Sequence, residues 1–248
     1  MKQLRELDKW GLGKPKVMIF DVNETLIDFE TALNPLFKKT FGNEKVLREW
    51  LGHLILYSMT LTMSGLYRDY WDIGCGVFRM VGGIHKIDVT NEDVEALKKG
   101  MQTMPSWPDC KEGLTKLKEA GFRLVTLTNS PPPTSGSKSP LEHAGIAGLF
   151  EKQYYIQEAK AYKPAQIVYH MVAQDLDVAP SDCCMVATHV WDTIGGQAAG
   201  MQSALITRPG NAVLPIDGLP QPNIIATDTI DLAAKAAAAW KMGARKAA

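Results

Sequence analysis

The stretch Lys16-Val17-Met18-Ile19-Phe20 is almost wholly apolar and stops at Asp21, the pattern of a buried strand that ends on a carboxylate. Comparable runs recur at Arg123–Leu127, Gln153–Ile156, Cys184–Ala187, Ser203–Thr207 and Asn223–Ala226, and helix-like segments separate most of them. Strands interleaved with helices in this way require a parallel sheet with right-handed crossovers, an α/β fold of the Rossmann-like kind. Ligands bind such open sheets along the carboxyl ends of the strands. Asp21 on that rim is therefore a candidate nucleophile or metal ligand. It is equally a candidate helix N-cap, because Asp before a helix satisfies free backbone N–H groups.

The 248 residues suffice for one large α/β domain, or for a core with a smaller insert. Basic and acidic side chains balance at 27 each, which argues against a broad nucleic-acid footprint. No apolar run is long enough to span a bilayer, and residues 1–15 lack the apolar region of a signal peptide. Met1 to Gly13 alternates charge with leucine and reads as an exposed lead-in. Cys75, Cys110, Cys183 and Cys184 show no C-x-x-C spacing, and the last two read as small strand residues. A reduced, cytoplasmic protein is expected.

After Asp21 the α/β rhythm pauses. Residues 31–104 read as helical, an insertion into a core made of 1–30 and 105–248. Val46, Leu47, Trp50, Leu51, Leu54, Ile55 and Ser58 follow one helical stripe, with Arg48, Glu49 and His53 off it. Leu66, Tyr67, Tyr70, Trp71, Val77 and Phe78 suggest a second arm, loosened by Gly74 and Gly76, and Thr90 caps a third. From Pro105 the alternation returns: a helix over Asp109–Ala120 is ended by Gly121, and another spans Ala165–Leu176.

The expected strand ends carry Asp21, Thr128 with Asn129, and His189 with Asp192, while Lys163-Pro164 lies before a helix that the proline can start. One sheet edge brings these loops together. Two nearby carboxylates resist joint ionisation, and a lysine between them offsets the repulsion and keeps Asp21 anionic. Thr25, Thr128 and Asn129 are neutral groups suited to orienting a carboxylate or an acidic substrate. Taken singly, each has a plainer explanation: turn residues, a solvated lysine, an acid in a helix first turn.

In order and spacing, Asp21-x-x-x-Thr25, Thr128-Asn129, Lys163-Pro164 and Trp191-Asp192 resemble the four motifs of the haloacid dehalogenase superfamily. The helical insertion is similar to that superfamily's mobile cap. Val22-Asn23-Glu24-Thr25-Leu26, Tyr162-Lys163-Pro164 with Tyr169, and Val190-Trp191-Asp192 look like the type II branch, the L-2-haloacid dehalogenases. The resemblance runs from about Lys16 to the last helix. Asn23 separates the branches, since phosphatases of the superfamily carry there a second aspartate that protonates the leaving alcohol and activates water. Asn23 does neither, and a halide needs no proton.

The resemblance implies attack by Asp21 on C2 of a short 2-haloacid, loss of halide, and hydrolysis of the resulting ester to a 2-hydroxy acid of inverted configuration. It gives Lys163 the task of holding Asp21, and Asp192 that of placing lysine and water. Thr25 and Thr128 would hold the carboxylates, Asn129 would face the leaving group, Asn23 the substrate, and Tyr169 would pack behind the lysine. No cofactor is implied, and magnesium enters only if the protein is a phosphatase. Relatives of this branch are often homodimers.

Two departures from the family pattern involve three positions. The halide-cradling arginine of the first cap helix aligns with Leu51, leaving Arg48, one turn away, or His53 to replace it. Losing such a donor is worth about 2–4 kcal/mol, comparable to deleting an oxyanion-hole donor. The family's last-motif serine and asparagine become Ala187 and His189. His189 is then either a water-activating base beside Asp192 or a structural histidine at a turn, with the base favoured. Other readings keep Asp21 as nucleophile on a fluoroacid or an azetidine-2-carboxylate-type C–N bond, make the chain a small-molecule phosphatase, or make it a non-enzymatic ligand sensor.

Overall fold

Six short strands pair in parallel throughout, in the order β3-β2-β1-β4-β5-β6, and β1 lies inside the sheet. This computed structural model describes residues 13–244, so the charged lead-in expected over Met1–Gly13 lies, but for Gly13, outside the described residues. The strands are β1 (Val17–Phe20), β2 (Arg123–Thr128), β3 (Lys152–Tyr155), β4 (Cys183–Ala187), β5 (Gln202–Ile206) and β6 (Ile224–Ala226). Every residue of β1, β4 and β5 is buried, as the unbroken apolar runs require for strands covered on both faces. The chain lays β1, β2 and β3 outward on one side and β4, β5 and β6 on the other. The order therefore reverses between β1 and β4, where Phe20 pairs with Val186. Crevices at such reversals are where this architecture binds ligands.

Five helices lie between β1 and β2, and the first four make up the inserted stretch: α1 (Phe29–Phe41), α2 (Val46–Met63), α3 (Tyr70–His85) and α4 (Asn91–Gln102). Asp28 caps α1 through Thr31 N (3.0 Å), and a reciprocal Thr90–Asp93 capping box opens α4. The α2 stripe is buried as its spacing indicates, although Ile55 is only half-buried. Trp50 stacks between Phe29 and Phe37 and donates Nε1–H to Gly74 O at 2.9 Å. The second arm differs from its expected extent. Asp69 caps it by accepting from Trp71 N, so the helix begins at Tyr70 and leaves Leu66 exposed outside it. Gly74 does not loosen it either, since it lies within the continuous helix and its carbonyl accepts the Trp50 indole N–H.

The core helices are α5 (Cys110–Glu119), a short α6 (Pro140–His143), α7 (Gln166–Asp175), α8 (Val190–Ala198) and α9 (Thr229–Ala244). Pro164 does not start α7, which begins two residues later. The Lys163-Pro164 bond is cis, and Ala165 N bonds Tyr162 O at 3.0 Å in a turn that precedes the helix. Thr128, expected in a loop, is the last residue of β2 and pairs with Tyr155. Among the described residues no helix is long and apolar enough to cross a membrane.

Candidate active site

Beyond β1 the backbone turns sharply, with Leu26 N and Ile27 N both bonded to Val22 O. That turn stands Asp21 at the sheet reversal, with its own N–H on Val186 O at 2.9 Å. Lys163 arrives from the turn before α7 and Asp192 from the first turn of α8. The Lys163 ammonium lies 2.7 Å from Asp21 Oδ1 and 2.7 Å from Asp192 Oδ2, and its third proton goes to Leu127 O at 3.0 Å. All three donors are used and the side chain is fully buried. Thr25 Oγ1 donates to Asp21 Oδ2 (2.8 Å) while accepting Thr188 N (3.0 Å), and Tyr169 Oη donates to Asp192 Oδ1 (2.6 Å).

These bonds set the charges. Burial works against an ionised Asp21, yet Lys163 and then His189 hold its carboxyl well below the usual carboxylate range. Asp192 moves the other way, raised by burial and by repulsion from Asp21 against the pull of Lys163. One ammonium thus serves two acids unequally, and Asp21 is the more readily ionised of the two. The close approach of α8 depends on Gly195, where a Cβ would stand 2.6 Å from Pro164 Cβ.

Several side chains serve the site differently from their expected roles. Thr128 Oγ1 accepts Ser130 N–H at 3.1 Å and holds no carboxylate. The Asn129 side-chain carbonyl accepts Lys163 N–H at 3.1 Å, so it fixes the lysine backbone. Tyr169, fully buried behind Lys163, is tied to Asp192 and touches no open space. Leu51 is part of the hydrophobic core. His53 stacks on exposed Tyr57. Arg48 is not free to meet a substrate either. Its guanidinium spans Glu24, Glu30 Oε1 (2.7 Å) and Pro209 O (3.0 Å), a position set by the α2 register. Asn23 donates to Ser130 Oγ at 3.1 Å.

His189 turns away from Asp192. Its Nε2 lies 2.7 Å from Glu24 Oε2, its Nδ1 faces Asp21 Oδ2 at 3.8 Å, and Trp191 stacks on the ring at 5.2 Å. Burial opposes a charged ring, but Asp21 and Glu24 outweigh it and lift the histidine to about 9. A ring so placed and so shifted would be a poor base at neutral pH, which speaks against the water-activating role beside Asp192.

Two residues given no role from the sequence belong to this site. Glu24 is buried, carries a left-handed backbone (φ 60°) and binds both His189 and Arg48. An acid inside the β1–α1 turn was its available signal. Tyr70 at the start of α3 is buried, and its phenol is pushed up by burial and then by the charges of Asp21 and Glu24. In the sequence it is indistinguishable from a packing aromatic.

A cleft of about 780 Å³ opens over this cluster, lined by Asn23, Thr128, Ser130, Trp71, Tyr155 and the exposed loop 131–138. Asp21, Lys163 and Asp192 lie behind its wall, with Asn23 at the boundary. Tyr162 closes the side between the inserted helices and the core. It stacks on Tyr67 at 5.6 Å, and its N–H bonds Thr62 Oγ1 at 2.9 Å.

Against known families, residues 15–200 match the model for haloacid dehalogenase-like hydrolases. The chain belongs to that family. It is 27% identical to (S)-2-haloacid dehalogenase 1 of Pseudomonas sp. strain CBS-3, across 78% of this chain and 85% of that protein. It is 30% identical to the rat (Rattus norvegicus) N-acylneuraminate-9-phosphatase, across 90% of this chain and 94% of that protein. The L-2-haloacid dehalogenase of Xanthobacter autotrophicus with chloropropionic acid covalently bound superposes with a TM-score of 0.78 at 17% identity, covering 89% and 97% of the two chains. At that identity the superposition speaks for the fold. The Rossmann-like parallel sheet core expected from the sequence is the one observed.

Proposed function

We propose that the protein hydrolyses the carbon–halogen bond of a small 2-haloacid through an ester on Asp21, releasing the 2-hydroxy acid. The observation that carries this reading is the Asp21 carboxylate, buried and kept anionic by Lys163, beside an asparagine and not a second acid at position 23. A dry carboxylate is a stronger nucleophile toward carbon than a hydrated one. Asp21 displaces the halide in line and inverts C2. Water then adds to Asp21 Cγ, and one of its protons passes by way of Asp192 to the departing hydroxyl oxygen. The second proton is released as Asp21 ionises again.

The phosphatase relatives support a second reading, hydrolysis of a phosphate ester with Mg²⁺. The residues present fit that ion poorly. Lys163 and Thr25 take the two oxygens of Asp21, and Lys163 and Tyr169 take those of Asp192. Among the described residues no group of three or more His, Cys, Asp or Glu is placed to hold a metal. No step is therefore routed through magnesium.

Single turnover of 2-chloropropionate in heavy-oxygen water tests the first reading, with fluoroacetate and a phosphate-ester panel assayed beside it. Label is expected in Asp21 and not in the first equivalent of product. Label going straight into product excludes the ester, and Mg²⁺-dependent release of phosphate alone transfers the case to the phosphatase.

The four inserted helices are read as a cap over a core of residues 1–30 and 105–248, and four free cysteines suit a reduced, cytoplasmic setting. Leu56, Met63 and Leu66, at 53%, 88% and 57% exposure, give this region an apolar outer surface suited to a homodimer. Leu56→Glu with Met63→Glu is expected to halve the mass measured by light scattering. A wild-type chain that is already monomeric at tens of micromolar would remove the dimer.

A further inference from the structure

Glu24 and His189 form a buried pair that the displacement of halide does not use. We propose that Glu24 anchors His189 so that its Nδ1–H is aimed at Asp21 Oδ2, where it takes up the negative charge created when water attacks the aspartyl ester. The inference rests on the ester reading above and gives that ester's hydrolysis its oxyanion site.

The geometry divides the two oxygens of Asp21. Oδ1 faces Lys163, while Oδ2 accepts from Thr25 and faces His189. An ester formed through Oδ1 leaves Oδ2 as the carbonyl oxygen. Water's oxygen then bonds Cγ, and the π pair moves onto Oδ2. Collapse restores that pair and breaks the Cγ–Oδ1 bond, so Oδ1 departs in the product. His189 keeps its proton throughout. Thr25 already lies within hydrogen-bond distance of Oδ2, whereas Nδ1 is about an ångström too far for a bond in the resting state. A donor that closes only as charge develops favours the transition state over the ground state.

Nδ1 is buried and has no hydrogen-bond partner. Because Nε2 donates to Glu24, a neutral ring would turn the Nδ1 lone pair toward the carboxylate, an arrangement that protonation relieves. The charged and titratable groups around the ring are Asp21 and Glu24, with Arg48 from α2 behind Glu24, Lys163 and Asp192 across Asp21, and Tyr70 from α3. Esterification cancels the charge on Asp21. Glu24 is then the anion that keeps the proton on His189, so it is a positioning residue for this step.

The pH profile of kcat separates this role from a base. Turnover is expected to hold at neutral pH and to fall as pH rises through the titration of His189 in the ester, which lies below the resting value of about 9 because the charge on Asp21 is gone. Glu24→Gln should move that falling limb at least one pH unit toward acid. His189→Ala should slow ester hydrolysis by about 10²–10³-fold, the usual effect of removing an oxyanion donor, with the ester on Asp21 accumulating. Turnover that rises through a histidine titration, or a limb unmoved in Glu24→Gln, overturns the proposal. Nitrogen-15 spectra of His189 in the unmodified resting enzyme need neither variant, and a neutral ring at pH 7.5 beside normal turnover sinks the oxyanion role alone. Absence of turnover with every acid sinks the ester reading and the oxyanion role with it.

Discussion

Lys163→Met is expected to abolish turnover and to cost about 3–5 kcal/mol of stability, because it leaves two buried carboxylates without their cation. The ammonium in place holds Asp21 far below its ordinary pKa. A carboxylate depressed in this way contributes stability that is present above the unfolded-state value and is lost as pH falls through the folded one. Without Lys163, burial is the dominant influence on Asp21 and raises its pKa. The sign then reverses: the variant should recover stability as pH falls through the carboxylate range, where protonation removes the uncompensated charge. Melting temperatures of both proteins between pH 4 and pH 8 read this directly. A variant whose melting temperature tracks that of the wild type at every pH would mean that the three groups do not share their charge.

Asp21→Asn should be equally inactive for a different reason. It removes the proposed nucleophile, for which losses of about 10⁴-fold or more are usual. It also leaves Lys163 with one full partner, Asp192 at 2.7 Å, so no charge is orphaned. Its stability should therefore stay within about 1 kcal/mol of the wild type, or rise slightly as the crowding of two acids is relieved. Halide electrode traces and thermal melts on the same preparations test both parts. Residual turnover within tenfold of the wild type would remove Asp21 from the chemistry. The contrast between an unstable inactive variant and a stable inactive one is what a buried ion triad centred on lysine requires.

The motif residues were legible because their positions follow from local rules. An apolar run followed by Asp puts Asp21 at a strand end, and Asp192 two residues into α8 follows from the strand–turn–helix pattern after β4. Convergence on one edge is a property of parallel sheets and needs no coordinates. What each side chain binds depends on angles and distances that the pattern does not hold. Asn129 and Thr128 read as ligands of a substrate or a carboxylate, yet their acceptors are taken by backbone N–H groups, of Lys163 from a distant loop and of Ser130 two residues on. Arg48 and Leu51 differ by three positions on one helix, and only the packing of Trp50 between Phe29 and Phe37 settles which face each presents.

His189 shows the boundary most sharply. From its neighbours in the chain it belongs with Asp192, which is three residues away. In space it belongs with Glu24, 165 residues earlier, and Asp21 with that partner pushes its pKa up to about 9. Taken alone, the amino-acid order determined the parallel α/β core, the helical insertion and the four loops at the reversal of strand order, because periodicity and turn chemistry act over a few residues. Only the tertiary structure decided which buried acid ionises more readily, which nitrogen of His189 faces Asp21, and where the arginine goes. Those outcomes depend on burial and on ångström-scale distances between groups that meet only when the chain is folded.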